Sequence, residues 1–201
     1  MKSLSILIPI YNEEESLQAL FDELKFSFEN NQSIEIIFIN DGSSDMSQKV
    51  IENEIANHST WKLINLYRNY GKSVALQSGI DIASNELIAT LDGDLQDDPK
   101  ELISLVRELN EDDVIVGWKK DRLDPLEKKI ASKIFNFFIK LFSGLKIKDS
   151  NSGIKVLKKE VAKSLNLYGG RHRYIPLLAH QKGFNVKEIP VNHRAVSYTH
   201  L

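Results

Sequence analysis

The chain has no cysteine, which excludes a disulfide framework, a thiolate zinc site and a cysteine nucleophile, and fits a reducing compartment. No stretch approaches the roughly 18 apolar residues needed to span a bilayer, so the chain as it stands is expected to be soluble or to lie on a membrane surface. Met1 leads almost directly into Leu4–Ile10, a run too short and too poorly flanked for a signal peptide. No two glycines are separated by one residue, so the fingerprint G-x-G-x-x-G is absent and hydride chemistry is disfavoured. Gly71-Lys72-Ser73 ends like a P-loop, but the glycine required five positions earlier is Leu66. Internal repeats and low-complexity segments are absent too.

What is present reads as one globular domain of ordinary size. The 201 residues are 42% hydrophobic, 27% charged and 8% aromatic, with mean hydropathy −0.27, too apolar for a disordered chain. The net charge of −2 conceals a split. Residues 1–113 carry 8 Lys/Arg against 22 Asp/Glu, a balance of −14; residues 114–201 carry 18 against 6, a balance of +12. Such asymmetry points to an anionic partner for the second half, a membrane surface or a nucleic acid.

The first 118 residues alternate strand-like and helix-like segments. Strands are expected at Leu4–Ile10, Ile34–Ile39, Leu63–Leu66, Leu87–Leu91 and Val114–Val116. Between them, Asn12 is expected to cap a helix whose apolar positions Leu17, Leu20, Phe21, Leu24 and Phe28 follow the 3.6-residue period. Further helices are expected at about Ser47–Ala56 and Ser73–Ala83, and one opening at Asp98-Pro99. Alternation with strands apolar on both sides predicts an α/β fold, a mostly parallel sheet covered by helices. In the second half, Glu127–Phe142 reads as a basic amphipathic helix, with Lys129, Lys133 and Lys140 on one stripe and a phenylalanine-rich face. Helices near Lys158–Leu167 and Tyr174–Gln181 and a strand at Asn185–Val191 complete the reading.

In such sheets ligands bind at the carboxyl ends of the strands, and three polar clusters fall there: Tyr11-Asn12-Glu13, Asp41-Gly42-Ser43 and Asp92-Gly93-Asp94. Asp92, Asp94, Asp97 and Asp98 put four carboxylates within seven residues. Carboxylates so close repel one another unless a cation sits among them, and Mg²⁺ or Mn²⁺ takes oxygen ligands of this kind. An EF-hand fails, because its glycine position is Asp97 and its terminal glutamate position is Ile103. A tyrosine stacks on a base, a carboxylate accepts from a base N–H or a ribose hydroxyl, and a metal bridges a diphosphate.

These residues resemble family 2 glycosyltransferases of the GT-A fold. The polyprenyl-phosphate branch, similar to bacterial dolichol-phosphate-mannose-synthase-like enzymes, is the nearer match. It rests on Arg68–Lys72, Leu91–Pro99, Gly117–Arg122, Asp149–Gly153, His172–Pro176 and Pro190–Arg194, in family order. The resemblance implies a nucleoside pocket of Pro9, Tyr11, Glu13 and Asp41, with Asp92 on the ribose and Lys72 beside the diphosphate. It implies a divalent metal (Mg²⁺ or Mn²⁺) on Asp94 with Gln96 as a further ligand, and Asp149 as catalytic base or orienter. Gly93 stands where relatives often have Ala or Ser. The acceptor phosphate is expected at Arg122, Lys128, Lys129, Ser132, Lys133 and Arg173, where cations lie near an apolar surface.

The implied reaction moves a sugar of the glucose or mannose class from a UDP- or GDP-linked donor to a polyprenyl phosphate, with inversion. The implied setting is the cytoplasmic side of the membrane, with an anchor in the full-length form and self-association left open. Residues 1–194 are expected to form one catalytic domain, 1–118 binding the nucleotide sugar and 119–194 the acceptor. Ala195–Leu201 departs from the family pattern and is expected to be a truncated or foreign tail. A hydroxyl acceptor such as a polysaccharide stays open, as does a non-catalytic nucleotide-sugar-binding scaffold. Nucleic-acid binding lacks any reader motif.

Overall fold

The computed structural model describes residues 2–28, 31–119, 144–145, 147–149 and 151–192. Its first half runs β1 (Leu4–Ile10), α1 (Glu14–Phe28), β2 (Ile34–Asn40), α2 (Ser47–Ile55), β3 (Trp61–Asn65), α3 (Lys72–Ile82), β4 (Leu87–Thr90) and α4 (Pro99–Glu108). Then come β5 (Val114–Lys119), β6 (Lys155–Lys158), α5 (Lys159–Ser164), a 3-10 turn (Arg171–Tyr174), α6 (Ile175–Gln181) and β7 (Val186–Val191). The strands make one sheet in the order β3-β2-β1-β4-β6-β5-β7. All neighbours are parallel except β6, which is antiparallel to both β4 and β5.

β1 shows why the sheet is covered on both sides. Alternate side chains of a strand point to opposite faces, and here both faces are apolar. Leu4, Ile6, Ile8 and Ile10 pack with Phe21, Ile51 and Leu105 of α1, α2 and α4. Leu7 packs on the other side with Leu76 and Ile80 of α3. The helices end where local chemistry says they should. Glu14 and Glu15 stand in the first turn of α1 and Lys25 in its last, matching the helix dipole. Asp98 accepts the N–H of Lys100 at 3.0 Å, with Pro99 opening α4.

One buried carboxylate ties the sheet to the segment that follows α3. Glu35 on β2 accepts from the hydroxyls of Ser5 (2.6 Å) and Ser84 (2.9 Å), from the Ser84 N–H (3.1 Å) and from Lys62. Burial alone would raise its pKa; the bonds from Lys62, Ser5 and Ser84 more than reverse this and hold it below the ordinary value. A depressed carboxylate stabilises the fold above its unfolded pKa, and that stability is lost as pH falls through the folded value. Glu35→Ala is therefore expected to lower the unfolding free energy at pH 7 by about 1–3 kcal/mol, the scale of buried donors left without an acceptor. Urea titrations from pH 7 downward should show the gap to the parent closing in acid. Equal stability at pH 7 would sink this account.

Three expectations need correction. Asn12 does not cap α1: its φ is +54°, and Glu13 caps instead, its carbonyl accepting the N–H groups of Ser16 and Leu17 at 3.0 and 3.2 Å. β3 begins at Trp61, two residues earlier than Leu63, because Trp61 packs against Phe21 and Phe38. β6 lies where the sequence suggested only the approach to a helix; a four-residue strand with Lys155 and Lys158 at its ends shows no apolar run. The expected amphipathic helix Glu127–Phe142 and the tail Ala195–Leu201 lie outside the described residues. No helix among the described residues is long and apolar enough to cross a membrane.

Candidate active site

β2 lies on one side of β1 and β4 on the other, so the order in which strands are added to the sheet reverses between β1 and β4. Such a switch point opens a crevice beyond the carboxyl ends of the strands. Here the loops that follow β1 and β2 lock together across it. The N–H groups of Asn12 and Glu13 donate to the hydroxyls of Ser43 and Ser47 at 3.0 and 2.9 Å. In return the Asn12 side chain accepts the N–H of Ser44 at 2.8 Å, and Glu14 accepts that of Met46 at 2.7 Å. The short polar side chains of these two clusters thus replace sheet bonding just past the strand ends.

Asp41 extends the lock to α3. Its two carboxylate oxygens accept the N–H groups of Tyr70 and Gly71 at 2.8 and 2.9 Å, immediately before α3 begins at Lys72. Gly42 has φ +70°, and a Cβ there would collide with the backbone of Arg68, so only glycine lets the two loops approach. Lys72 then reaches across the switch point to Asp92, Nζ to Oδ1 at 2.5 Å. Asp94 accepts the N–H of Gln96 at 3.2 Å, closing a tight turn that holds Leu95 at φ +61°.

The result is a cavity of about 320 Å³ walled by Pro9, Tyr11, Glu13, Asp41, Lys72, Asp92 and Asp94, with Ile10, Asn69, Gly71 and Gly93 between them. All six residues expected to bind nucleotide therefore stand around one space. Gln96 is not part of this wall; it follows on the Asp94 turn. Burial, and after it the charges of Asp94, Asp45 and Asp92, pushes the Glu13 carboxyl above its ordinary pKa, while the Ser16 hydroxyl works the other way. That shift reports burial first and the neighbouring carboxylates second.

Among the described residues no three His, Cys, Asp or Glu side chains form a ready metal cage. Mg²⁺-type ions at nucleotide sites commonly rely on one or two carboxylates plus the substrate's phosphates. A wall that brings the carboxylates of Glu13, Asp41, Asp92 and Asp94 around one space fits that arrangement.

Asp149 is 2% exposed. Its N–H and that of Lys148 both donate to Glu188 on β7, at 2.7 and 2.9 Å to the same oxygen. Burial raises the Glu188 carboxyl, and the Asp149 charge adds to the rise, against the pull of those two N–H groups. Two residues absent from the sequence reading matter here: Glu188 fixes the backbone at Asp149, and Lys155 lies buried behind the carboxylates. Burial and the nearby Lys72 bring the Lys155 ammonium down to about 8, with Asp92, Asp149 and Asp97 opposing. The signal for Lys155 was a lone charge inside Ile154–Leu157. Arg173 stands on the rim of a second cavity beyond Asp92. Arg122, Lys128, Lys129, Ser132 and Lys133 lie outside the described residues.

Residues 5–165 match the model of the family described as glycosyl transferase family 2. The chain belongs to that family. The chain is 37% identical over 178 residues to a dodecaprenyl-phosphate galacturonate synthase of Rhizobium johnstonii, covering 86% of the chain and 53% of that relative. It is 35% identical over 198 residues to an undecaprenyl-phosphate 4-deoxy-4-formamido-L-arabinose transferase of Salmonella choleraesuis, covering 96% of the chain and 60% of the relative. The chain thus spans little more than half the length of these curated relatives. In fold it is similar to the mannosyltransferase PcManGT of Pyrobaculum calidifontis, solved with GDP-Man and Mn²⁺: TM-score 0.74, 14% identity, 99% of this chain and 58% of that one. It is likewise similar to glucosyl-3-phosphoglycerate synthase of Mycobacterium tuberculosis in complex with UDP: TM-score 0.75, 17% identity, 96% and 72% coverage. The mostly parallel, helix-covered sheet expected from the sequence is the GT-A-like architecture of these neighbours.

Proposed function

We propose that this chain is the catalytic part of a transferase that moves a sugar from a nucleoside diphosphate to a polyprenyl phosphate. One observation carries the reading: the cavity at the β1/β4 switch gathers Tyr11, Asp41, Lys72, Asp92 and Asp94 around one space. In it, Tyr11 stacks on the base, the Asp41-held loop frames it, and Asp92 accepts from the ribose. Asp94, with Gln96 adjacent, would hold a divalent cation, which would supply Lewis-acid neutralisation of diphosphate charge. Lys72 lies close enough to share that charge.

The acceptor needs placement more than activation. A phosphate monoester has its second pKa at about 6 and is largely dianionic near pH 7. Asp149, its backbone fixed by Glu188, serves as base or orients a cationic neighbour of the attacking phosphate, for single displacement with inversion. The first half of the chain, at −14, grips cation and nucleotide; the second, at +12, faces an anionic bilayer on the cytoplasmic side, where each Lys or Arg contributes about 1 kcal/mol. Both curated relatives are named for polyprenyl-phosphate acceptors, which favours this acceptor over a polysaccharide.

The test is direct. The protein is incubated with Mn²⁺, undecaprenyl phosphate and labelled UDP- or GDP-sugars, and the lipid phase is counted. Label entering the lipid supports the proposal; label in polysaccharide, or in no product, overturns it.

A further inference from the structure

Lys155 is the only lysine or arginine buried among the described residues. It opens β6, where its register partners are Thr90 of β4 and Val116 of β5, so strands on both sides fix its backbone. Leu157, two residues on, packs on the α3 side of the sheet, and strand alternation sends Lys155 to that side too. There a second cavity, of about 240 Å³, shares Lys72 and Asp92 with the first and is bounded further by Lys155, His172 and Arg173. Lys72 is engaged by Asp92, and the Lys155 ammonium donates to the Ser152 carbonyl. A buried charge is costly unless its surroundings match it, so what surrounds Lys155 shows what it is for.

The bond to Ser152 belongs to a set that holds Asp149. The Ser152 N–H donates to the Asp149 carbonyl at 3.4 Å, and the next carbonyl, of Gly153, accepts the Thr90 hydroxyl at 2.6 Å. On the other side Glu188 takes the Asp149 N–H at 2.7 Å. Lys155 thus secures the exit of the turn whose entry Glu188 secures. Its charge serves as well as its bond, because the carboxylates of Asp92, Asp149 and Asp97 all act on it. Asp149 and Asp97 are themselves buried. Carboxyls at that depth take up protons unless a cation stands with them, and Lys155 is a buried cation in their midst.

We propose that Lys155 is a positioning residue for sugar transfer: through Ser152 it fixes the turn that carries Asp149, and its charge keeps the Asp149 carboxylate ionised. It acts on the reaction through Asp149 and touches no substrate. The inference rests on the transferase reading, in which Asp149 serves the attacking phosphate as base or orienter; either role needs an ionised carboxylate at a set place. Burial, and after it the charge of Lys72, brings the ammonium down to about 8 against the pull of Asp92, Asp149 and Asp97. Lys155 is therefore charged at pH 7 and loses that charge in mild alkali. Of the other groups around the second cavity, Arg173 keeps its charge throughout that range. His172 is already neutral at pH 7, brought down to about 4 by burial and then by Lys72, Arg173 and Lys155.

The experiment measures kcat for label transfer from pH 7 upward, with UDP or GDP binding followed by calorimetry on the same full-chain samples. In the parent, kcat should fall about tenfold between about pH 8 and pH 9.5 as the ammonium population shrinks, while nucleotide affinity holds. Lys155→Met should lower kcat about 10²-fold at pH 7, the scale of a displaced reacting group. Nucleotide affinity should stay unchanged, because Asp92 keeps Lys72. Lys155→Arg, charged across the whole range, should restore most of the turnover and carry it through the alkaline fall of the parent. Alkaline effects on metal or acceptor strike parent and Arg variant alike, so the difference between them reads Lys155. A flat parent profile, near-parent turnover of the Met variant, or an Arg variant that falls with the parent or matches the Met variant overturns the proposal. So does a Met variant that loses nucleotide binding together with turnover, which makes Lys155 merely structural. A parent that transfers no sugar at any pH overturns the transferase reading itself, and this inference with it.

Discussion

Asp94→Asn is expected to lower sugar transfer by about 10²- to 10³-fold at saturating Mn²⁺, the scale of one lost contact to charge that develops in a transition state. The other carboxylates of the cavity are differently engaged. Asp92 pairs with Lys72, Asp41 holds the backbone of Tyr70 and Gly71, and Glu13 is shifted toward its neutral form. Asp94 lines the same cavity and is the carboxylate on which the proposed cation would rest. Asparagine keeps an oxygen for the Gln96 N–H, so the turn and the melting temperature should survive. The readouts are label transfer as a function of Mn²⁺ concentration and thermal unfolding of the same sample. Near-normal turnover with the metal still required would count against the assignment.

Gly153→Ala should be almost as damaging, by a different route. A Cβ at Gly153 would stand 2.6 Å from Asp92 Cγ, 2.7 Å from Asp92 Oδ2 and 2.8 Å from Asp97 Oδ2. The backbone cannot retreat cheaply, because its carbonyl accepts the Thr90 hydroxyl at 2.6 Å. Asp92 must therefore move and loosen its pairing with Lys72 on the wall common to both cavities. A displacement near 1 Å at a reacting site can cost about 10²-fold in rate, and overpacking costs about 1–3 kcal/mol of stability. The variant should show weaker nucleotide binding by calorimetry, turnover down by about 10²-fold and a melting temperature lower by several degrees. Unchanged nucleotide affinity would show that Asp92 is not held by this contact.

The first half of the architecture was readable because each element carries its own signal. Leu4–Ile10 is apolar on both faces, Leu17 to Phe28 repeat at helical spacing, and Asp98-Pro99 announces a helix start. The nucleotide cavity followed because its residues sit at consecutive strand ends, a position that topology alone makes functional. β6 did not announce itself: its stability comes from bonding to β4 and β5 on either side, and one of its four residues is a buried lysine. Asn12 looked like a helix cap, but its side chain answers the N–H of Ser44, 32 positions away. Glu188 was invisible for a similar reason. Its partners at 148 and 149 are set by how β7 lies beside β5, not by any local pattern.

The antiparallel strand β6 also has a consequence for the order of assembly. β3, β2, β1 and β4 bond to one another using residues 4–90 alone, whereas β5 reaches the rest of the sheet only through β6. Pairing β4 with β6 joins Thr90 to Lys155, closing a long loop before any of its contacts can offset the lost chain entropy. The nucleotide cavity, walled entirely by residues 9–94, can take shape first. The cation-lined cavity is completed last, when β6 slots between β4 and β5 and carries Lys155 in beneath Asp92.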